Sequence, residues 1–448
     1  MSTTPATKDA LFHDMTRDFP LILRGEGIYL YDDAGNRYID AAAGAYNVTL
    51  GHGRKRIAAA MAEQAETLAF AFSAYYLNQP ALDLAERIAA VAPGDLNNVY
   101  FVCGGSEAVE TATKIARHYH VQRGNGSKHL VISRWRGYHG TTLGAMSVSG
   151  SAIMRKLSAP LLAGFPHIEP CHPYRCNYAG CEGTCNLTCA RELERAILYA
   201  GPENVSAFIA EPVVQSGIAA GVPPPDYFPL IREICDKYDV LFIADEVVTG
   251  FGRTGKYFAM EHWGVEPDLA VFGKGASGGY SPLGGVVFQD AIYDCFAESG
   301  EVPVHIHTYV NYPISARVGL EVLDIIEEEN LLDHVTEIGD YLLRRARELD
   351  KHPMIGDVRG MGFILGFELV KDKQTKEPFE VSEKIGKRLR DILLERGLSV
   401  VTSGGSIDGV TGDSLQLSPP FIITRNDVDE MIAIIDAGLG QLESELSL

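Results

Sequence analysis

Up to about residue 60, apolar and polar residues alternate. The stretch GIYLYDDAGNRYIDAAAGA predicts two short strands joined by the DDAGN turn. Beyond it the period switches repeatedly. LDLAERIAAVA spaces Ala and Leu as a helix does, NNVYFV is a short strand running into glycines, and SEAVETATKIARHYH is a second helix opened by a capping serine. KHLVIS predicts a strand, followed by the glycine-rich loop RWRGYHGTTLGA. ARELERAILYA and DYFPLIREICDKY predict helices on either side of a strand in VSAFIAEPVV, and VLFIADEVV, LAVFGKG and GGVVF add three more apolar runs. Strands alternating with helices imply parallel pairing and right-handed crossovers, hence one wide α/β sheet.

After residue 330 the pattern changes to long charged amphipathic helices, ENLLDHVTEIGDYLLRRARELD and SEKIGKRLRDILLERG, around a strand in FILGFELV. SLQLSPPFIIT and a last helix, NDVDEMIAIIDAGLGQLE, complete a smaller α+β unit. The expected division is an N-terminal segment, 1–60, packing with the small unit; a large α/β domain, 61–330; and a C-terminal small α+β domain, 331–448. No long Pro/Ser linker separates the parts, so they should pack together.

At 448 residues, with 46% hydrophobic and 22% charged positions, the chain is neither disordered nor fibrous. Its 39 basic against 59 acidic residues give a net charge of −20, which opposes nucleic acid and anionic membrane surfaces. No stretch approaches the roughly 18 apolar residues of a membrane helix. The start, MSTTPATKDALFHDM, lacks the apolar run of a secretory signal, and the expected location is cytoplasmic. Five of the eight cysteines, Cys171, Cys176, Cys181, Cys185 and Cys189, crowd into CHPYRCNYAGCEGTCNLTC. In a reducing compartment such clustering suggests metal before disulfide, yet three or four residues separate neighbours, unlike a CxxC knuckle. The reading is a thiol-rich surface insertion, 171–189, with no metal ligands assigned.

Ligands of an open α/β sheet collect at the carboxyl ends of its strands. Four segments there carry chemistry. Gly104-Gly105-Ser106-Glu107 opens a helix, as a phosphate cup or only as a cap. Asp245-Glu246 ends an apolar strand, where a carboxylate needs a cationic or proton-donating partner, functional or structural. Lys274, between glycines after an apolar run, is placed to be a desolvated nucleophilic amine, or a surface lysine. Trp135-Arg136-Gly137-Tyr138-His139-Gly140 puts an aromatic ring and an imidazole on a glycine-flanked loop, to stack on a flat ligand or as an ordinary loop tyrosine. Together they suit pyridoxal 5′-phosphate, with its phosphate, flat ring, basic ring nitrogen and amine-reactive aldehyde.

The sequence resembles the class-III aminotransferases, the fold-type-I pyridoxal-phosphate enzymes that include ω-amino acid and amine transaminases. The likeness rests on ADEVVTGFGRTG followed by FGKGASGGYSPLGG, with GGSEAVETATKIAR, GYHGTT, FIAEPV, HTYVNYP and LQLSPPFIITRNDVDEM in order, from about residue 25 to the end. It implies a large mixed, mainly parallel sheet domain and a smaller α+β domain. It further implies that Lys274 is the Schiff-base lysine and Asp245 the partner of the pyridine nitrogen. Gly105 and Ser106 would hold the phosphate, and Tyr138 and Val247 would flank the ring. His139 would support the site and Glu211 would lie near the substrate. Thr308 would reach the phosphate of a neighbouring subunit, giving a homodimer with shared sites that could pair further into a tetramer.

The implied reaction moves an amino group from a primary amine or ω-amino acid to a short keto acid. Thr141 stands where 2-oxoglutarate-using relatives carry an arginine, and VVTSGGSIDGVTGDSLQLSPP lacks the arginine that many amine:pyruvate members have there. Pyruvate is therefore the expected acceptor, with Arg425 or backbone groups as candidates for its carboxylate and Tyr46 either for the substrate wall or as a buried core tyrosine. The alternatives are 2-oxoglutarate-dependent transamination, a decarboxylating transaminase, racemase or aminomutase, or a scaffold that keeps the fold without catalysis. A dinucleotide-binding domain would need a GxGxxG turn after its strands and has none.

Overall fold

The computed structural model describes residues 19–176, 178–179, 181, 185–300 and 305–447. Its principal feature is a seven-stranded sheet. Three strands precede it, β1 (Ile22–Glu26), β2 (Tyr29–Asp32) and β3 (Arg37–Asp40). The sheet itself is built from β4 (Leu96–Val102), β5 (Leu130–Arg134), β6 (His167–Ile168), β7 (Val205–Ala210), β8 (Leu241–Asp245), β9 (Leu269–Phe272) and β10 (Gly284–Gln289), in the order β4-β10-β9-β8-β7-β5-β6. All neighbours pair in parallel except β10, which runs antiparallel to both β4 and β9. The sheet is thus mixed and mainly parallel, as expected.

Side chains of successive strand residues go to opposite faces. Ala207, Ile209, Leu241, Ile243, Leu269 and Val271 pack with Val109, Ala112 and Ile115 of the helix Gly105–Gln122. Phe208, Ala210, Phe242, Ala244, Ala270 and Phe272 pack on the other side with the helices Thr188–Ala200 and Tyr227–Lys237. Burial on both faces is why these strands read as unbroken apolar runs, each large side chain adding about 1.5–3 kcal/mol.

Four further strands follow, β11 (Ile355–Met361), β12 (Ile364–Leu369), β13 (Leu398–Ser399) and β14 (Val401–Gly404), then β15 (Asp413–Leu417). β11-β12-β15-β14 form an antiparallel sheet, while β13 pairs in parallel with β3 to complete the sheet β1-β2-β3-β13. One hydrophobic cluster joins Ile28, Ile39, Leu50 and Ile57 to residues of the last third of the chain such as Val335, Phe367, Leu389 and Ile435.

Some elements gave no sequence signal. The helix Pro313–Glu328 buries 10 of its 16 residues and so shows no clean polar stripe. The helix Lys55–Thr67 and the strands β1 and β11 are likewise additional, and the GYHG loop runs into a short helix, Leu143–Val148. Among the described residues no helix is long and apolar enough to cross a membrane.

Candidate active site

Because β4, β5, β7, β8 and β9 share one direction, the segments that follow them emerge on one edge. β4 delivers Gly104 to the helix Gly105–Gln122, whose first amides have no intrahelical acceptors and no capping side chain. A Cβ on Gly105 would stand 2.8 Å from Val247 Cγ1. One on Gly140, whose φ is +125°, would stand 2.4 Å from Ser106 Oγ. The glycines therefore let three backbone segments approach closely. Ser106 Oγ accepts the Thr141 N–H at 3.2 Å and keeps its own proton to donate.

Asp245, the last residue of β8, is buried, with Oδ2 2.6 Å from His139 Nδ1 and Oδ1 accepting the Val247 N–H at 3.1 Å. His139 is fixed by its N–H, which donates to Ser149 Oγ at 2.8 Å, and its Nε2 is buried without a partner. Glu211, one residue past β7, accepts the Tyr138 N–H at 3.1 Å and lies 3.5 Å from Arg134 Nη2. Burial pushes the Glu211 carboxyl above its usual range, against the pull of His139 and Arg134. Glu246 takes a separate environment, accepting the Met260 N–H at 2.9 Å and the Thr249 hydroxyl, and burial pushes its carboxyl up to about 7.

Lys274 follows β9 and Gly273 with φ of +39°, a left-handed backbone that opens a single 3-10 turn. Its Nζ stands 5.5 Å from the centre of the Tyr46 ring. Burial pushes this ammonium below its ordinary range; Arg253 adds to that, while Asp245 and Glu211 oppose it. The amine is thus biased towards its neutral, nucleophilic form.

Gly105, Ser106, Tyr138, His139, Glu211, Asp245, Val247 and Lys274 all line one cavity of about 160 Å³. Burial, with the Asp245 charge, raises the Tyr138 phenol above its ordinary range, so the ring enters the cavity neutral.

Four other expected residues lie elsewhere. Tyr46 is buried beside Lys274 with its hydroxyl donating to Gln416 Oε1 at 2.8 Å, a contact that combines the wall and core readings. Thr141 is exposed and touches Ser106 only through its backbone N–H. Thr308 is exposed and lines no part of the cavity. Arg425 is a correction. It opens the helix Arg425–Leu446 at the outer surface, paired with Glu337 at 2.7 Å and lying over the Tyr341 ring, where it cannot meet a ligand in the cavity.

The five clustered cysteines do not join this cavity. They line a different one, of about 200 Å³, with Glu169, His172 and Arg136. Cys171 and Cys189 are buried, so the segment is more than a surface appendage; Arg175 and His172 anchor it to the buried Glu368 at 2.5 and 3.5 Å. Residues 177, 180 and 182–184 of the insertion lie outside the described residues, and among those described no group of three or more His, Cys, Asp or Glu is arranged to hold a metal ion.

Three buried arginines near the site have no role that the local sequence assigns. Arg134 binds the Glu211 carbonyl at 2.5 Å. Arg253, fully buried, donates to the carbonyls of Pro419 at 2.5 Å and Tyr46 at 3.3 Å, and burial lowers it to about 9. Arg136 is also buried. The available signal was a charge inside the apolar, glycine-rich stretches SRWRGYHG and GFGRTG.

The family model described as Aminotransferase class-III matches residues 13–439. The chain is 38% identical over 426 residues to a putrescine–pyruvate aminotransferase of Pseudomonas aeruginosa, covering 94% of this chain and 90% of that one. It is 35% identical over 451 residues to a taurine–pyruvate aminotransferase of Bilophila wadsworthia, covering 98% and 97%. Among solved structures, an (S)-enantioselective omega-transaminase from Thermomicrobium roseum superposes with a TM-score of 0.89 at 38% identity, over 94% of this chain and 92% of that one.

Proposed function

The chain belongs to the class-III aminotransferases, and from that premise we propose that it moves an amino group from a primary amine or ω-amino acid to pyruvate, with pyridoxal 5′-phosphate bound in the 160 Å³ cavity. The observation that carries this reading is the convergence of Lys274 and Asp245 on one cavity beside the free amides of a helix N-terminus.

The residues present fit the cofactor. Because Gly105 and Gly140 carry no Cβ, Val247 and Ser106 stay in place against the helix terminus, which supplies amides and a dipole that suit a phosphate. The carboxylate of Asp245 has lone pairs beyond its two contacts and suits a protonated ring nitrogen. When bound, the cofactor supplies an aldehyde that condenses with amines and a ring that accepts electrons from the substrate carbon.

Each residue then has a task. Ser106 and the Gly105 amide fix the phosphate. Tyr138 and Val247 confine the ring between them. Asp245, oriented by His139, keeps a proton on the ring nitrogen. Lys274 Nζ, its pKa lowered by burial, would take the proton from the amine-bearing carbon of the substrate as base and, as the ammonium so formed, would be the acid that gives it back. Thr141 gives no clamp for a second carboxylate, which favours pyruvate over 2-oxoglutarate; the pyruvate named in two relatives' activities supports the same choice.

We also propose a homodimer. Phe70, Phe72, Tyr75, Tyr76 and Tyr309 are exposed; Phe70 meets Tyr309, the neighbour of Thr308, at 6.0 Å, and Tyr75 meets Phe72 and Tyr76 at 5.5 and 6.4 Å. An apolar surface of this kind favours association, and it would carry Thr308 to the phosphate of the neighbouring subunit.

The test is a panel of amine donors scored by alanine formation from pyruvate, with 2-oxoglutarate in parallel. Alanine should form, and faster than glutamate. Donor consumption without any keto acid would overturn the reading.

A further inference from the structure

A second cavity, of about 210 Å³, shares Tyr138 with the first. Ser216, Ser403, Met154 and backbone of the glycine-rich turn at 404–409 line it, and Arg136 is the one charged residue among its described walls. A chain of contacts links the two cavities. Lys274 Nζ faces the Tyr46 ring, the Tyr46 hydroxyl meets Gln416, and Gln416 Nε2 donates to Ser403 Oγ at 2.7 Å.

We propose that this chamber receives the carboxylate-bearing end of the substrate and that Arg136 is the cation that binds it. The inference rests on the aminotransferase reading, since every keto acid acceptor brings a carboxylate. The other nearby cations are committed. Lys274 is the reacting amine, Arg134 is bound to Glu211, Arg253 is bound to two backbone carbonyls, and Arg425 is on the outer surface.

Arg136 is built to serve. Its residue is 8% exposed, with φ of +62°, and a Cβ on Gly217 would stand 1.6 Å from its carbonyl oxygen, so a glycine at 217 lets the backbone settle there. The guanidinium donates through Nη1 to the Ile407 carbonyl and through Nη2 to Glu169 Oε2 at 2.5 Å, while Nε is buried without a partner among the described residues. The Glu169 side chain is 40% exposed and can swing into water. A substrate carboxylate that replaces it keeps the charge paired and offers a second oxygen to the same planar fork. Arg136 lines both this chamber and the cysteine cavity, whereas Glu169 lines the cysteine cavity alone, so Glu169 competes with the substrate for the guanidinium from the far side of it.

The experiment compares pyruvate with propanal, a neutral acceptor of similar size, using one amine donor and the holoenzyme. Arg136→Gln should lower the ratio of kcat/KM for pyruvate to that for propanal roughly 10- to 100-fold, the loss of one charged hydrogen-bonding partner, chiefly through KM. Glu169→Gln should lower the pyruvate KM several-fold. Binding of propionate, read by its effect on the cofactor's visible absorbance, should weaken in the first variant and tighten in the second. An unchanged pyruvate/propanal ratio in Arg136→Gln overturns the proposal while leaving the aminotransferase reading intact. If that variant fails to fold, an unchanged or raised pyruvate KM in Glu169→Gln overturns it instead. A wild-type enzyme that uses neither acceptor sinks the aminotransferase reading, and the propionate titrations then decide Arg136 alone.

Discussion

Asp245 and Glu246 leave β8 side by side, yet the structure gives them opposite settings. Asp245 faces His139, while Glu246 is 1% exposed and meets the Thr249 hydroxyl and backbone amides of Met260 and Ala259, with no cation among its partners in the described residues. Burial raises Glu246 from 4.5 to about 7, so between those values the folded protein holds a proton that the unfolded chain has released. Stability must then fall as pH rises through that window and level off above it. At 1.36 kcal/mol per pH unit the loss is about 3 kcal/mol. Glu246→Gln has no proton to lose, and the Thr249 hydroxyl can turn to suit the amide. Its stability relative to wild type should rise from near zero at pH 4.5 to about 3 kcal/mol at pH 8. With about 2.1 cal/mol/K of unfolding entropy per residue, that is a Tm difference of about 3 °C. Thermal unfolding of both holoenzymes in matched buffers across this range is the assay, other carboxyls cancelling in the difference. A Tm difference independent of pH, or one that grows towards acid, would refute the neutral buried Glu246.

Three further outcomes are expected. Lys274→Ala should still bind cofactor, now non-covalently, and lose turnover by about a thousandfold or more, while borohydride reduction and peptide mapping of wild type should label Lys274. Gly140→Ala, at φ of +125° and with Cβ 2.4 Å from Ser106 Oγ, should weaken cofactor binding about tenfold or more in a titration followed by visible absorbance. In cofactor-stripped protein, burial should make the Lys274 amine acylate at lower pH than surface lysines, its rate rising with pH through a value below 10.5 and measured by competitive labelling and mass spectrometry.

The sequence carried the strands and the chemical residues at their ends. β7, β8 and β9 are fully buried, so their composition is uniformly apolar and each run stops where the chain reaches the site. Glu211, Asp245 and Lys274 sit at those stops, where a polar residue or a glycine breaks the apolar pattern locally, and Ser106 follows the glycines after the part-buried β4. Nothing long-range is needed to find them.

Arginines were different. Arg134, Arg136 and Arg253 look alike in the sequence, and their roles come from partners far along the chain: Glu211, Ile407 and Pro419. Arg425 follows the same rule: proximity to the PP stretch says nothing about which way a helix turns its first side chain, and the fold pairs it with Glu337. Which segments are buried and which chemistry they bring is written in local composition, through burial and backbone freedom. Which charge meets which is settled on folding, because a long side chain's partner comes from segments that share no local pattern.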